Sequence, residues 1–210
     1  MNQFISELIL LAPPLLMALT FHEFAHGYVA YRLGDPTAKN LGRLTLNPLK
    51  HLDPVGTIAF FFIKFGWAKP VPVNPGYFKD PKRDMIWVAL AGPATNLALA
   101  IASAALAKGL WFVAAQLPYS QMAEAVLVPL NGMLIASVWI NLVLCIFNFL
   151  PIPPLDGSRI LMGILPNKMA ASYMQVERYG FVIILALAFT GVLSKVIMPL
   201  ISFANGMLLS

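Results

Sequence analysis

Four long apolar stretches constrain this chain more than any other feature. They cover roughly residues 4–30, 85–107, 125–150 and 179–207, and each is near or above the ~20 residues that cross the hydrocarbon core of a membrane. Of the 210 residues, 59% are hydrophobic and 11% are charged, whereas about a quarter of a soluble domain is charged. The sequence therefore predicts an all-α polytopic membrane protein with about four spanning helices, folded as a single domain over residues 1–210. It excludes a cytosolic enzyme, a disordered tail and a secreted disulfide scaffold.

A fifth apolar run, from Val55 to Ile63, is too short to span. Gly56 lies near its start and Gly66 shortly after its end, which favours a re-entrant or interfacial piece buried against protein. We therefore expect a short re-entrant or β element at about residues 40–75, after the first spanning helix.

Lysine and arginine are distributed asymmetrically between the connections. Twelve of the fourteen lie in segments 31–84 and 151–178, and the other two are Lys108 and Lys195. Because cations near helix ends are retained in the cytoplasm, these two segments are predicted to be cytoplasmic and both termini to face outward across the cell membrane. Membrane topology explains the net charge of +5 better than nucleic-acid binding does, since the lysines and arginines do not cluster with stacking aromatic residues.

The second span contains small residues at helical spacing, with Gly92, Ala100 and Ala104 four or eight positions apart. Such residues allow close packing between membrane helices, so this stretch is predicted to be structural. Asn96 is the polar exception within it.

The first span contains the sequence His22-Glu23-Phe-Ala-His26. Residues four apart share one face of a helix, so both imidazoles can bind one metal ion while Glu23 stands beside an open coordination position. In zinc peptidases of this HExxH type, the metal activates a water and the glutamate transfers its proton to the leaving amine.

Three ionisable groups inside a spanning helix are costly, by about 2.5–3.5 kcal/mol for each charged residue, and such groups normally mark function. The alternative is that they are satisfied by neighbouring helices or line a proton path. Counting back from Arg32, His26 and His22 lie roughly 9 and 15 Å below the cytoplasmic surface at ~1.5 Å per residue, which predicts a polar cavity.

A third metal ligand must come from another segment. Asp156 is the strongest candidate, because prolines at 151, 153 and 154 end an apolar span and can bring the following carboxylate into the membrane region. An Asp-Gly pair after prolines is also an ordinary turn or helix N-cap. The other candidates are Glu7, Asp35, His51, Asp53, Asp80, Asp84, Glu124 and Glu177.

The chain resembles the site-2 protease family of intramembrane zinc metalloproteases. The resemblance rests on the HExxH motif, on Asn148-Phe-Leu-Pro-Ile-Pro-Pro-Leu-Asp156-Gly157, and on the segments 42–57, 66–75 and 91–96, and it covers roughly residues 15–165. It implies a compact member, since the connection 108–124 is too short for a PDZ insertion and no cytoplasmic nucleotide-sensing domain fits.

The resemblance also implies roles for individual residues. One zinc ion per chain would be bound by His22, His26 and Asp156, with Glu23 as the catalytic acid and base. Asn148 would face the active site, where its amide stabilises the oxyanion or holds substrate, although a helix-packing hydrogen bond is the alternative. His51 would be a partner of the ligands or an anchor for its loop.

The family resemblance further implies a small sheet after the HExxH helix, for which Leu41 to Asn47 and Val71 to Asn74 are the candidates. An unwound segment of a single-span membrane protein substrate could add to the edge of such a sheet. Whether His51, Asn74 or Asn96 contacts substrate is left open. The competing functions are a membrane metal or proton transporter and an inactive scaffold of the same fold. A transporter has no need for Glu23 between the histidines, and nothing favours the scaffold, since every expected catalytic residue type is present.

Overall fold

The computed structural model describes residues 3–63, 66–116, 118 and 120–210. Within these residues the chain is helical, and the α-helices are α1 Gln3–Arg32, α2 Thr37–Asn40, α3 Pro54–Ile63, α4 Pro81–Ala114, α5 Gln121–Asn148, α6 Asp156–Ile164, α7 Asn167–Met174, α8 Gly180–Phe189 and α9 Val192–Leu209. Short 3-10 turns lie at Pro48–Lys50, Pro75–Tyr77 and Glu177–Tyr179.

Four of the described helices are long and apolar enough to cross a membrane: α1 from residue 7 onward, α4, α5 and α9. The chain is therefore a multi-pass membrane protein, and the predicted all-α fold with four spanning helices is confirmed. The first three spans lie where the sequence predicts them.

The fourth span differs from the prediction, because the stretch 179–207 is not one helix. Helix α8 ends at Phe189 and α9 begins at Val192. Between them Gly191 has a φ of 73°, a left-handed conformation that glycine adopts without steric cost and that interrupts the helix. At ten residues, or about 15 Å, α8 is too short to span, so α9 alone makes the fourth crossing.

The core between α4 and α5 is built from small and aliphatic residues. Ala100 and Ala104 on α4 pack against Val138 and Leu142 on α5, and all four are buried. Alanines let the two helix backbones approach closely, which confirms the packing role predicted for the small residues of α4. Ala204, Leu208 and Leu209 of α9 cover this cluster from outside.

The connections 33–80 and 149–179 lie at the same end of the bundle. Lys82 Nζ, in the first turn of α4, donates to the carbonyl oxygen of Leu165 and, at 3.3 Å, to Asn167 Oδ1. At the other end Lys108 Nζ donates to Ser210 O at 2.5 Å. The two cation-rich segments are thus neighbours, as their shared cytoplasmic assignment requires.

No strand is present among the described residues, so the two predicted strand segments are wrong. Residues 41–47 form mostly turns and bends, and 71–74 has no regular secondary structure. The described residues contain one isolated antiparallel bridge, between Leu52 and Ala68. Prolines 70, 72 and 75 have no N–H to contribute to a ladder, which explains why the second segment forms no strand.

Helix α3 occupies the middle of the predicted re-entrant region. Its ten residues cover about 15 Å, too little to cross a membrane, as expected from the length of the run. Residues 64 and 65 lie outside the described residues. That α3 re-enters the membrane stays a prediction.

Candidate metal centre

Three side chains from distant parts of the sequence converge at one point. His22 and His26 lie one turn apart on α1, and Asp156 is the first residue of α6. The Nε2 atoms of the histidines are 3.0 Å apart, His22 Nε2 is 3.3 Å from Asp156 Oδ2, and His26 Nε2 is 3.3 Å from Asp156 Oδ1. The described residues contain no other group of three or more such side chains that could hold a metal ion.

The chain reverses direction between Asn148 and Asp156, and this reversal places the carboxylate. Helix α5 ends at Asn148, and Tyr173 Oη donates to Pro151 O at 2.8 Å, which fixes the proline segment against α7. Gly157 packs so tightly on the carbonyl oxygens of Phe149 and Leu150 that a Cβ would lie 2.3 and 2.5 Å from them. Asp156 is thereby turned back toward α1.

Each histidine has a hydrogen-bond acceptor behind it. His26 Nδ1 donates to the carbonyl oxygen of Val88 at 2.7 Å, and His22 Nδ1 donates to Asn96 Oδ1 at 2.5 Å. Because a carbonyl oxygen can only accept, the hydrogen of a neutral imidazole is on Nδ1, and its Nε2 carries a free lone pair. Acceptors in this position orient metal-binding histidines in proteins generally.

The converging atoms fit a metal ion. Two Nε2 lone pairs and a carboxylate face one another, and Asp156 Oδ2 is buried without a hydrogen-bond partner. Such lone pairs repel unless a cation lies between them. Zinc bonds of about 2.0–2.1 Å in tetrahedral geometry place donor atoms about 3.3 Å apart, and the distances here are 3.0–3.3 Å.

Gly92 of α4 makes room for the two imidazoles. A Cβ at this position would lie 2.4 Å from His26 Nε2 and 2.5 Å from His22 Cε1. A side chain here would therefore displace both rings, so the absence of a Cβ at Gly92 serves the site as well as the packing of α4.

Glu23 lies beside the histidines and is held by the loop before α4. Its Oε2 accepts a hydrogen bond of 2.8 Å from the backbone N–H of Val71. The loop is in turn fixed by Asp35, which is fully buried three residues after α1 ends and accepts a hydrogen bond of 2.7 Å from the N–H of Asn74. The sequence gives no sign of the contact between Glu23 and Val71, because these residues are 48 positions apart.

A cavity of about 450 Å³ opens onto His22 and Glu23. Asn148 is the third polar side chain on its wall; the rest is mostly apolar and comes from the loop 66–70, the end of α5, the proline segment and α8. Trp67 and Phe181 meet edge to face across one side, with ring centroids 5.6 Å apart. A cavity is therefore present where the sequence predicts one, but the predicted polar character is wrong, because its lining is mostly apolar.

The sequence leaves open whether His51, Asn74 and Asn96 contact substrate, and in the structure each of them has a hydrogen-bond partner within the protein. His51 is buried, donates from Nε2 to Thr45 O at 2.8 Å, and its own carbonyl accepts from Lys69 N, so it anchors its loop. Asn74 caps the turn at Gly76. Asn96 is bonded to His22, and none of the three lines the cavity.

Two histidines and a carboxylate lie beside a glutamate within a bundle of apolar helices, which is a candidate metal centre in a multi-pass membrane protein. The model of Peptidase family M50 matches residues 10–191, and the chain belongs to this family, which is the site-2 protease family. No solved structure matches the chain.

Two relatives illustrate the family. The chain is 44% identical over 191 residues to the protein of Bacillus subtilis (strain 168) named "Putative zinc metalloprotease YwhC", covering 90% of this chain and 84% of that protein. It is 29% identical over 197 residues to "Putative zinc metalloprotease Rip2" of Mycolicibacterium smegmatis (strain ATCC 700084 / mc(2)155), covering 91% and 71%. The names of both relatives imply zinc.

Proposed function

We propose that this protein is an intramembrane zinc metalloprotease that hydrolyses peptide bonds within or near the membrane spans of single-span proteins. The observation that carries the proposal is the convergence of His22, His26 and Asp156 beside Glu23, inside a bundle of membrane-spanning helices. The zinc metalloprotease names of the relatives support the same chemistry.

In this proposal His22 Nε2, His26 Nε2 and the Asp156 carboxylate hold one zinc ion per chain. When bound, zinc lowers the pKa of a water molecule to about 7 and polarises a carbonyl group. The hydrogen bonds from Nδ1 of the two histidines to Asn96 and Val88 keep the rings oriented toward the ion.

Glu23 is the proton carrier of the reaction. Its side chain borders the cavity, where the attacking water and the scissile peptide meet. It takes a proton from the water and delivers it to the nitrogen of the leaving amine. The bond from Val71 N–H to Oε2 holds the carboxylate in place, while the other oxygen, Oε1, can face the water.

Substrate binds in the cavity between the loop 66–70, the end of α5 and α8. Its apolar lining suits side chains drawn from a membrane span. The backbone of 71–74 is a poor edge for strand addition, since the N–H groups of Val71 and Asn74 are bonded to Glu23 and Asp35 and residues 70 and 72 are proline. Recognition therefore depends on the cavity wall.

The direct test is cleavage of a single-span peptide by the purified protein in detergent, with the zinc content measured in the same preparation. We expect about one zinc per chain, cleavage within the span, and loss of cleavage when a chelator removes the metal. Zinc without cleavage of any spanning peptide would favour transport, and neither zinc nor cleavage would favour an inactive scaffold.

Asn148 gives a separate prediction. Its Nδ2 donates to Leu144 O at 2.9 Å on its own helix, and an amide nitrogen has a second hydrogen that can reach a substrate carbonyl in the cavity. We expect Asn148→Ala to keep zinc and to lower turnover by about 10²–10³ if the amide donates to the oxyanion. If the amide holds substrate instead, KM rises with little change in kcat. Asn40→Ala, at an exposed position in α2 away from the cavity, is the control. Zinc loss in Asn148→Ala would assign Asn148 to support of the metal.

The orientation in the membrane gives another prediction. We propose that the metal centre lies toward the cytoplasmic side of the cell membrane and that both termini face outward, as the cations indicate. After replacement of Cys145, single cysteines at Lys50 and Lys79 are expected to react with an impermeant reagent from one side, and one at Ala115 from the other. Labelling of positions 50 and 79 from opposite sides would show that the α3 region spans.

A further inference from the structure

A row of buried polar side chains crosses three helices behind the metal centre. It runs from His22 on α1 through Asn96 on α4 to Asn141 and Ser137 on α5, and ends where Ser137 Oγ meets Ser103 Oγ at 2.8 Å. Asn96 and Asn141 have no exposed surface. Polar groups buried within a membrane protein are costly unless they are paired, so the row calls for a function.

The direction of the hydrogen bonds is fixed from the far end of the row. Asn141 Nδ2 lies 2.8 Å from the carbonyl oxygen of Ser137, which can only accept, so the amide nitrogen must be on that side. The oxygen of Asn141 then faces Asn96, whose Nδ2 donates to it at 2.8 Å and to Ala18 O at 3.3 Å. Both amides can therefore be oriented in one way only.

This orientation decides which nitrogen of His22 carries the hydrogen. With its Nδ2 turned toward Asn141, Asn96 presents Oδ1 to His22 Nδ1, which must donate. The lone pair is left on Nε2, the atom that faces Asp156 and His26. If Asn96 turned over, its NH₂ group would face Nδ1 and the hydrogen would move to Nε2, where it blocks metal binding.

We propose that Asn141 is a positioning residue that, through Asn96, sets the tautomer of His22 and so prepares the site for a metal ion. The use of this tautomer rests on the proposed metal site, but the tautomer itself is a property of the metal-free protein. His26 is independent of the row because its Nδ1 donates directly to a backbone carbonyl, that of Val88. It therefore serves as a control within the same molecule.

The experiment is ¹⁵N NMR of metal-free, ¹⁵N-histidine-labelled protein in detergent, at a pH where the imidazoles are neutral. The chain has three histidines, so their signals can be assigned by single substitution. In Asn141→Leu we expect a larger fraction of His22 with the hydrogen on Nε2 than in the wild type. The tautomer of His26 should not change. Zinc affinity, measured by competition with a chelator, is expected to fall by about 10–100-fold.

Ser103→Ala is the matched control, because it removes the last bond of the row but leaves the bond from Asn141 to the Ser137 carbonyl. It should keep the wild-type tautomer and affinity. If Asn141→Leu fails to fold, Asn141→Ser replaces it, since its hydroxyl is too short to reach Asn96 and the same result is expected.

A double-mutant comparison separates positioning from packing. In the Asn96→Asp background a carboxylate accepts from His22 Nδ1 without help from Asn141, so adding Asn141→Leu should leave zinc affinity unchanged or improve it. The proposal is overturned if Asn141→Leu leaves the His22 tautomer unchanged, or if it weakens zinc equally in both backgrounds. A wild-type protein that binds no zinc would refute the proposed metal site, while the tautomer comparison would still decide the role of Asn141.

Discussion

Glu23→Gln is expected to retain zinc and to lose cleavage almost completely. Glutamine keeps the shape of the side chain and can still accept the hydrogen bond from Val71 N–H, but it cannot take a proton from water. Cleavage of a single-span substrate should fall by roughly 10²–10⁴, with the zinc content of the same preparation unchanged.

The control for Glu23→Gln is Glu124→Gln, which makes the same chemical change at an exposed position in the first turn of α5. It should cleave at the wild-type rate. Unchanged cleavage by Glu23→Gln would remove the hydrolytic mechanism proposed here, and loss of zinc would show that the carboxylate supports the metal instead of moving a proton.

Removal of any one of the three converging side chains is expected to empty the metal site. His22→Ala, His26→Ala and Asp156→Ala each leave two donors where a catalytic zinc site needs three, so the zinc content should fall from about one per chain toward zero, and cleavage with it. Zinc measured by mass spectrometry after dialysis, beside the helical content from circular dichroism, separates metal loss from unfolding.

His51→Ala is the informative comparison for Asp156→Ala. His51 bonds Thr45 within its own loop, so its loss should disturb that loop and leave zinc bound. Full zinc in Asp156→Ala together with zinc loss in His51→Ala would transfer the third-ligand role to His51.

The parts of the site that depend on local spacing could be predicted from the sequence. His22 and His26 share a helix face because they are four residues apart, and the prolines before Asp156 force the reversal that brings it back. The contacts that could not be predicted join elements that are distant in the sequence. Val71, in the loop before α4, donates to Glu23 of α1, and Asn96 of α4 donates to Asn141 of α5. A polar residue inside an apolar span was the available signal for Asn141, as it was for Asn96.

Two of the errors in the fold have a clear physical cause. The break at Gly191 is invisible in a continuous apolar run, because glycine is common in spanning helices and only its left-handed φ ends the helix. The predicted strand at 71–74, by contrast, conflicts with the prolines in and beside it, which cannot donate a hydrogen bond to a ladder.

Because the chain turns back at Asp156, the proposed metal site would also link parts of the chain that are distant in the sequence. His22 and Asp156 stand 134 positions apart in the sequence, and Gly92 of α4 lies against the imidazoles between them. An ion held by His22, His26 and Asp156 would be a removable cross-link that joins α1 to α6 and closes a long loop of the chain, with α4 packed against it. The free energy of metal binding would then add to the free energy of folding of the bundle, so that removal of the ion would also lower the stability of the fold.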